Sequence, residues 1–438
     1  MNGRSSASAT TVPESVAPAL AAESQPTASF PAPAITNLPP AIRALAYRDF
    51  RNIWLGAMTS STGSWMQTVA QSWLVFTMTG SAFWLGLDGF LAMAPSMMFS
   101  LIGGVVADRV DRRKLLLFSQ YSQMTYAFVL AALVFTGNVQ VWHILVLSFL
   151  TGTSQSFGGP AYMSLLPTLV AKQDIPNAVA FNAIQFNMAR VIGPALAGIA
   201  LYKFGSAACF LLNGVSFLAV IFSIYTIKPR AVGSQNAKGS ILDGLRQGLS
   251  FVANTKVIWQ LCVLAFSVTF LGIGMSTLLP VFTRTIFHGD EAVYSHLMSC
   301  VGLGAVAGAF VVALLSQLPH RGKRMLLGQV FCGLFIVLFA QAQTLSLSYF
   351  ILFFGSMSMV TVFAVMSALV QNALPDEVRG RAISIYMLHF QAGMSLGGLT
   401  AGGLAQLLTP VLTLTINGAL LSVVGIVLLL TRSKVSEL

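Results

Sequence analysis

From about residue 53 the chain alternates between apolar runs of some twenty residues and short polar connectors, the pattern that a hydrocarbon core about 30 Å thick imposes on membrane helices. The runs lie near residues 53–78, 83–107, 115–136, 141–164, 178–203, 206–227, 257–284, 292–316, 325–343, 346–371, 381–405 and 408–431. Twelve spans leave about 32 residues for each span with its connector; fourteen would leave almost nothing for loops, and six would require long polar domains that are not there. The pattern predicts an all-α membrane protein of twelve transmembrane helices. Residues 1–40 are rich in Ala, Pro, Ser and Thr and contain no apolar run, so they are expected to form a disordered tail rather than a signal sequence. The amphipathic stretch RALAYRDFRNIW leads from that tail into span 1.

The basic residues orient this map, because cytoplasmic loops collect Lys and Arg. Of the 24 Lys and Arg, 21 fall in the two tails or in the even-numbered connectors; Lys203 and Arg284 lie at the opposite face and Arg190 lies within a span. Both termini are therefore expected in the cytoplasm. The longest polar connector, residues 228–256, divides a six-helix bundle over 41–227 from a second over 257–431, with a short tail over 432–438. An amphipathic helix is expected in ILDGLRQGLSFVANT. The two halves also echo one another: RVIGPALAGIA of span 5 can be laid over MSLGGLTAGGLA of span 11, matching Gly193 to Gly397 and Gly198 to Gly402. Internal duplication of this kind is a feature of transporters built from two pseudo-symmetric bundles that alternate in access.

Composition narrows the class. Hydrophobic residues make up 55% of the chain and charged ones only 8%, which excludes a soluble enzyme or a disulfide scaffold. The net charge of +11 reports topology, not affinity for nucleic acid. Cys209, Cys262, Cys300 and Cys332 all fall in apolar runs without ligand spacing and are expected in the core.

After span 2 the chain reads GVVADRVDRRKLLL. This resembles the signature of the major facilitator superfamily between helices 2 and 3, through Gly104, Asp108, Arg109, Arg112 and Arg113, with Asp111 where the signature has a second Gly. GSWMQTVAQSWLVFTMTGSA in span 1, FNMARVIGPALAG in span 5 and LPDEVRGRAISIY before span 11 are similar to the branch that contains the enterobactin exporter and macrolide efflux pumps. The resemblance covers about residues 45 to 432. It implies a bacterial inner-membrane exporter that uses the proton gradient and no cofactor.

Arg190 is the candidate with the clearest chemical demand. It lies about twelve residues, or about 18 Å, from the cytoplasmic start of span 5. A charge at that depth costs about 2.5–3.5 kcal/mol even on the lenient insertion scale, so it is expected to face a cavity or a partner. Asn187 and Pro194 share its helix face. The functional reading is that Arg190 holds an anionic or carbonyl-bearing part of a substrate; the alternative is an internal tie to helix carbonyls or to the Gln side chains of span 1. Ser60, Ser64, Gln67 and Gln71 form a polar stripe on span 1, and Ser148, Thr151, Gln155, Ser358, Thr361 and Gln391 add to it from spans 4, 10 and 11. Such groups do not face lipid. They either line a hydrated cavity or join helices by hydrogen bonds. The expected substrate site is thus Arg190, Asn187, Gln67, Gln71, Ser64, Gln155 and Gln391.

Proton coupling requires a titrating group, and within the spans Asp88 and His389 are the candidates. At the cytoplasmic face Gly104, Asp108, Arg109, Arg112 and Arg113 are expected to form a gate with Asp376, Arg379 and Arg381, with Arg109 and Arg112 also reaching Asp174 or Glu377. Gly193, Pro194 and Gly198 are expected to form a hinge in span 5. The glycines of span 8 (Gly304, Gly308) and span 11 are expected to serve two seams, span 5 on span 8 and span 2 on span 11.

These features point to an exporter of a moderately sized neutral or anionic amphiphile, siderophore-like or macrolide-like, working as a monomer among membrane lipids, without nucleic acid and without catalysis. An importer of a nutrient or lysolipid in the same fold is the first alternative. A membrane sensor that carries nothing is the second, and the retained polar groups argue against it.

Overall fold

The computed structural model describes residues 39–227, 249–315, 318–375, 378–431 and 433–436. The tail over 1–38 and the central loop over 228–248 lie outside the described residues; residues 249–254, the end of the expected amphipathic helix, are helical. The described helices are α1 (Arg48–Thr79), α2 (Ala82–Arg109), α3 (Arg112–Phe135), α4 (Val141–Leu165), α5 (Ile175–Thr226), α6 (Lys256–Gly272), α7 (Gly274–Thr277), α8 (Leu279–Thr285), α9 (Glu291–Leu315), α10 (Arg321–Gln341), α11 (Leu345–Ala373), α12 (Arg379–Leu407) and α13 (Pro410–Leu430).

These helices fall on the twelve expected spans, with two differences. Spans 5 and 6 are one element, α5, interrupted only at Gly205, whose φ of 74° and ψ of −179° reverse the chain within a single residue. Span 7 is three helices, α6 to α8, parted at Ile273 and at Leu278; at the second break Pro280, in the first turn of α8, has no N–H to continue the ladder. By length and apolarity alone, seven helical stretches among the described residues qualify as membrane spans. Helices α1, α3, α4 and α12 do not, since they carry the Ser, Thr and Gln residues that give the interior its polarity.

Packing repeats between the halves. Helix α1 packs on α5, α2 on α4, and α3 on α5; later in the chain α6 packs on α12, α9 on α11, and α10 on α13. The repeat extends a register visible in the sequence: the separation that pairs Gly193 with Gly397 also pairs Asn213–Gly214 with Asn417–Gly418 and sets Asn187 opposite Gln391. Helix α2 packs on α12 and α5 on α9, and these contacts join the halves. The expected seams are present, but Gly304 and Gly308 do not serve them. A Cβ on Gly304 would meet the Phe353 carbonyl at 2.2 Å and one on Gly308 the Met357 carbonyl at 2.6 Å, so both glycines seat α9 on α11 within one bundle. Gly302, one turn away from neither and on a different face, is the position that approaches α5, at the Arg190 carbonyl.

The segment before α1 is fastened to the α4–α5 junction. A 3-10 helix over Pro40–Ala46 ends at Tyr47, whose hydroxyl donates to Asp174 at 2.7 Å; the Ala44 N–H donates to Asn177 Oδ1 and Trp54 Nε1 to the Phe181 carbonyl. Arg43 lies 3.9 Å from the same carboxylate. Asp174 therefore answers Tyr47 and Arg43 and not Arg112, which turns to the Ser164 carbonyl; the side chain of Arg109 lies outside the described residues. Burial first, and then the bond to Asp174, hold the Tyr47 hydroxyl above its ordinary value of 10.0. The folded protein keeps a proton that the unfolded chain gives up. This stabilisation is full below pH 10 and is lost as pH rises through the elevated value. Tyr47→Phe is expected to cost about 1 kcal/mol near neutral pH, and to remove that alkaline loss; thermal unfolding between neutral and alkaline pH measures both.

Candidate functional site

At mid-length of the first limb of α5, fifteen residues from both Ile175 and Gly205, Arg190 places its guanidinium over the Trp65 ring, 5.6 Å from the centroid. Trp65 is positioned by α5 itself. Gly193 lets the two helices close until a Cβ there would lie 2.5 Å from the Trp65 Cβ, and Phe186 meets the indole edge-on at 6.0 Å. Among the described residues the Arg190 side chain makes no hydrogen bond and no ion pair. The internal tie to carbonyls or to span 1 glutamines is therefore not how this side chain is held. A desolvated cation–π contact is worth about 2 kcal/mol, which offsets part of the cost of placing a guanidinium at mid-membrane and leaves its donors unmatched.

The polar stripe of span 1 takes a different course. Asp88, buried on α2, accepts from Gln71 Nε2 at 2.8 and 3.0 Å and from the Ser148 hydroxyl at 2.5 Å. Gln71 also donates to Ser148 at 2.9 Å, and its own oxygen accepts from Gln67 at 3.4 Å. Gln67 in turn accepts from Asn213 at 2.6 Å. One chain of hydrogen bonds thus joins α2, α4, α1 and the second limb of α5, with no cation among the described residues beside the carboxylate.

The other expected residues are placed as follows. Ser64 bonds the Ser60 carbonyl and Asn187 the Ala183 carbonyl, each within its own helix. Gln155 is exposed on α4. Gln391 has a buried Oε1 with no partner among the described residues. His389 Nδ1 contacts the Ile385 carbonyl at 2.8 Å while Trp259 meets its ring edge-on. Ser358 joins α11 to α10 through the Gly328 carbonyl.

Of the gate residues, Asp376 lies outside the described residues, and so do the side chains of Asp108, Arg109 and Arg379 and the surroundings of Gly104. Arg112 reaches the Ser164 carbonyl at the end of α4, and Arg113 the Tyr225 carbonyl near the end of α5 while standing 5.7 Å from the Tyr225 ring centroid. Cations at helix C-terminal carbonyls complement the helix dipoles. Asp111 caps α3, accepting from the Arg113 N–H at 2.9 Å with a φ of −55°, so this turn does not need the glycine of the signature. Arg381 is exposed at the start of α12. In α5 the backbone stays helical through Gly193 and Pro194; Gly193 serves close approach to Trp65, and Gly198 the approach to Ser295 of α9.

The halves meet closely at the end remote from the start of α1. There Ser81 donates to Gln406, a Cβ on Gly402 would meet the Ala82 carbonyl at 2.5 Å and one on Gly86 the Gly398 carbonyl at 2.5 Å, and Trp73 stacks on Tyr294 at 5.7 Å.

Two pseudo-symmetric helical bundles closed on each other at one end, with an unneutralised arginine and a buried polar chain at depth, define a multi-pass membrane transporter of the major facilitator type and not an enzyme. Residues 40–438 match the family described as "Transmembrane secretion effector", and the chain belongs to it. It is 25% identical to the staphyloferrin A transporter of Staphylococcus aureus over 386 residues, covering 81% of this chain and 89% of that one. It is 24% identical to the enterobactin exporter EntS of Salmonella choleraesuis over 386 residues, covering 88% and 92%. In fold it is similar to a mutant of the nucleoside transporter NupG, with a TM-score of 0.72, 12% identity, and coverage of 88% of this chain and 100% of that one.

Proposed function

We propose that this protein exports a moderately sized neutral or anionic amphiphile across the bacterial inner membrane by alternating access, in exchange for protons, with Arg190 at the substrate. The observation that carries this reading is a guanidinium at mid-membrane whose only partner among the described residues is an indole face. Its remaining donors suit an acceptor that arrives with the cargo. The relatives' names, a staphyloferrin A transporter and an enterobactin exporter, support siderophore-like cargo. The distribution of basic residues supports cytoplasmic termini. With that orientation, the contacts of Ser81, Gly86 and Trp73 lie on the periplasmic side and support a conformation closed outward. The bundles are taken as residues 41–227 and 257–431, and the protein as a monomer. Asp88 and His389 are the candidates for the coupling proton.

Transport into inside-out proteoliposomes under an imposed pH gradient tests the proposal. Neutral and anionic amphiphiles are expected to be carried ahead of lipophilic cations. Arg190→Ala is expected to lower transport of an anionic cargo about 10–100-fold, the loss of a charge-assisted hydrogen bond, at unchanged expression. Preferential carriage of lipophilic cations by the wild type would overturn the reading.

A further inference from the structure

The surroundings of Arg190 specify more than a sign of charge. Its side chain carries five N–H donors in a fixed planar fork. The Trp65 ring lies beneath that fork. No acceptor among the described residues occupies its donors. Phe186, one turn earlier on the same face of α5, touches Trp65 edge-on and leaves 51% of its own surface exposed. Asn187 spends its amide donor on Ala183 and keeps Oδ1 without a donor among the described residues. Arg190 is also the one Lys or Arg in the interior of an expected span, since Lys203, Arg284 and Arg381 stand at span ends.

Resting on the reading of Arg190 as a group that meets cargo, we infer that Arg190, Trp65 and Phe186 form a subsite for a carboxylate borne on an aromatic body. Two parallel N–H groups of a guanidinium match two oxygens of a carboxylate or of a phosphate, and the charge of the site decides between them. A single cation neutralises a monoanion, whereas a phosphate monoester brings a second charge that nothing beside Arg190 answers. The indole and phenyl rings supply an apolar, π-rich wall for an aromatic ring attached to that carboxylate. Gly193 sets the wall, since any side chain there would displace Trp65.

The experiment is equilibrium binding of radiolabelled naphthoate to the purified full-length protein in lipid nanodiscs, with competition by methyl naphthoate, naphthamide, naphthyl phosphate and cyclohexanecarboxylate. Saturable naphthoate binding is expected, with each competitor weaker than unlabelled naphthoate by about tenfold or more. Arg190→Lys is expected to lose about tenfold although it keeps the charge, because an ammonium cannot offer the fork. Trp65→Leu is expected to weaken binding about as much and Phe186→Leu less. Absence of saturable binding, equal competition by the ester, or a lysine variant that binds as the wild type does would overturn the subsite. The comparison within the wild type needs no variant to fold. If these results fail while Arg190→Ala still abolishes export of other amphiphiles, the subsite falls alone; if export is indifferent to Arg190, the underlying reading falls with it.

Discussion

Leucine at Gly304 is expected to lower the melting temperature of the purified protein sharply, whereas leucine at Gly86 is expected to leave it nearly unchanged and to shift the conformational equilibrium instead. The two positions look alike in sequence, each a glycine in an apolar helix, and each lies against a backbone carbonyl at a distance that forbids a Cβ. They differ in what owns that carbonyl. Phe353 belongs to α11, packed on α9 within one bundle, so a side chain at Gly304 has nowhere to go and overpacking costs about 1–3 kcal/mol or more. Gly398 belongs to α12, across the seam that α2 forms with the other half. There the strain is relieved when the bundles part. A cysteine pair replacing Ser81 and Gln406, which are hydrogen bonded in the closed seam, reports on it: disulfide yield is expected to fall several-fold in the Gly86→Leu background. An unchanged yield together with a fall in melting temperature equal to that of Gly304→Leu would mean that the seam does not open.

Asp88→Asn is expected to abolish the response of transport to a pH gradient while leaving downhill exchange of cargo intact. The asparagine keeps the size of the side chain, and its Oδ1 can still accept from both Ser148 and Gln71 Nε2, so Gln71 need not turn and the chain from Ser148 to Asn213 survives. What disappears is the only titrating group in that chain. The gradient-driven component is expected to fall at least about tenfold, as judged by counterflow and gradient-driven uptake measured on the same vesicles. His389→Gln is expected to retain that component, because the imidazole is tied to a carbonyl of its own helix and reaches no other element through a hydrogen bond among the described residues. The reverse pattern would move the coupling to α12. Asp88→Leu strands the donors of Gln71 and Ser148 and is expected to cost about 1–3 kcal/mol of stability as well.

Hydropathy made the spans legible because lipid imposes one requirement on every helix, and that requirement is written in composition. The register of the repeat was legible for the same reason, since Gly193 and Gly198 recur in span 11 wherever close approach recurs. The partners of individual side chains were not. Gln67 and Gln71 stood out as a stripe, but only the three-dimensional packing shows that they turn toward Asp88, Ser148 and Asn213. Asp88 and Gln71 were each visible as candidates without a sign that they touch. Trp65 escaped notice as the partner of Arg190 because a tryptophan in an apolar run reads as one more lipophilic residue; its place in GSWMQ, on a helix already marked as polar, was the available signal. Asp174 was matched to Arg112 on charge alone, whereas Arg112 turns to the Ser164 carbonyl and a tyrosine seven residues past Pro40 donates to Asp174. Glycines are the extreme case, since a residue without a side chain carries no mark of the surface it faces, and Gly304 and Gly302 differ only in the neighbour that comes close.

The reversal of α5 at Gly205 has a mechanical corollary. Spans 5 and 6 are joined by one residue rather than by a slack loop, so the limb that bears on α9 and the limb that bears on α3 form a stiff hairpin. Displacement of either must drag its companion, and a tilt begun at Ser295 is delivered to the outer flank of the molecule as leverage rather than dissipated in a hinge.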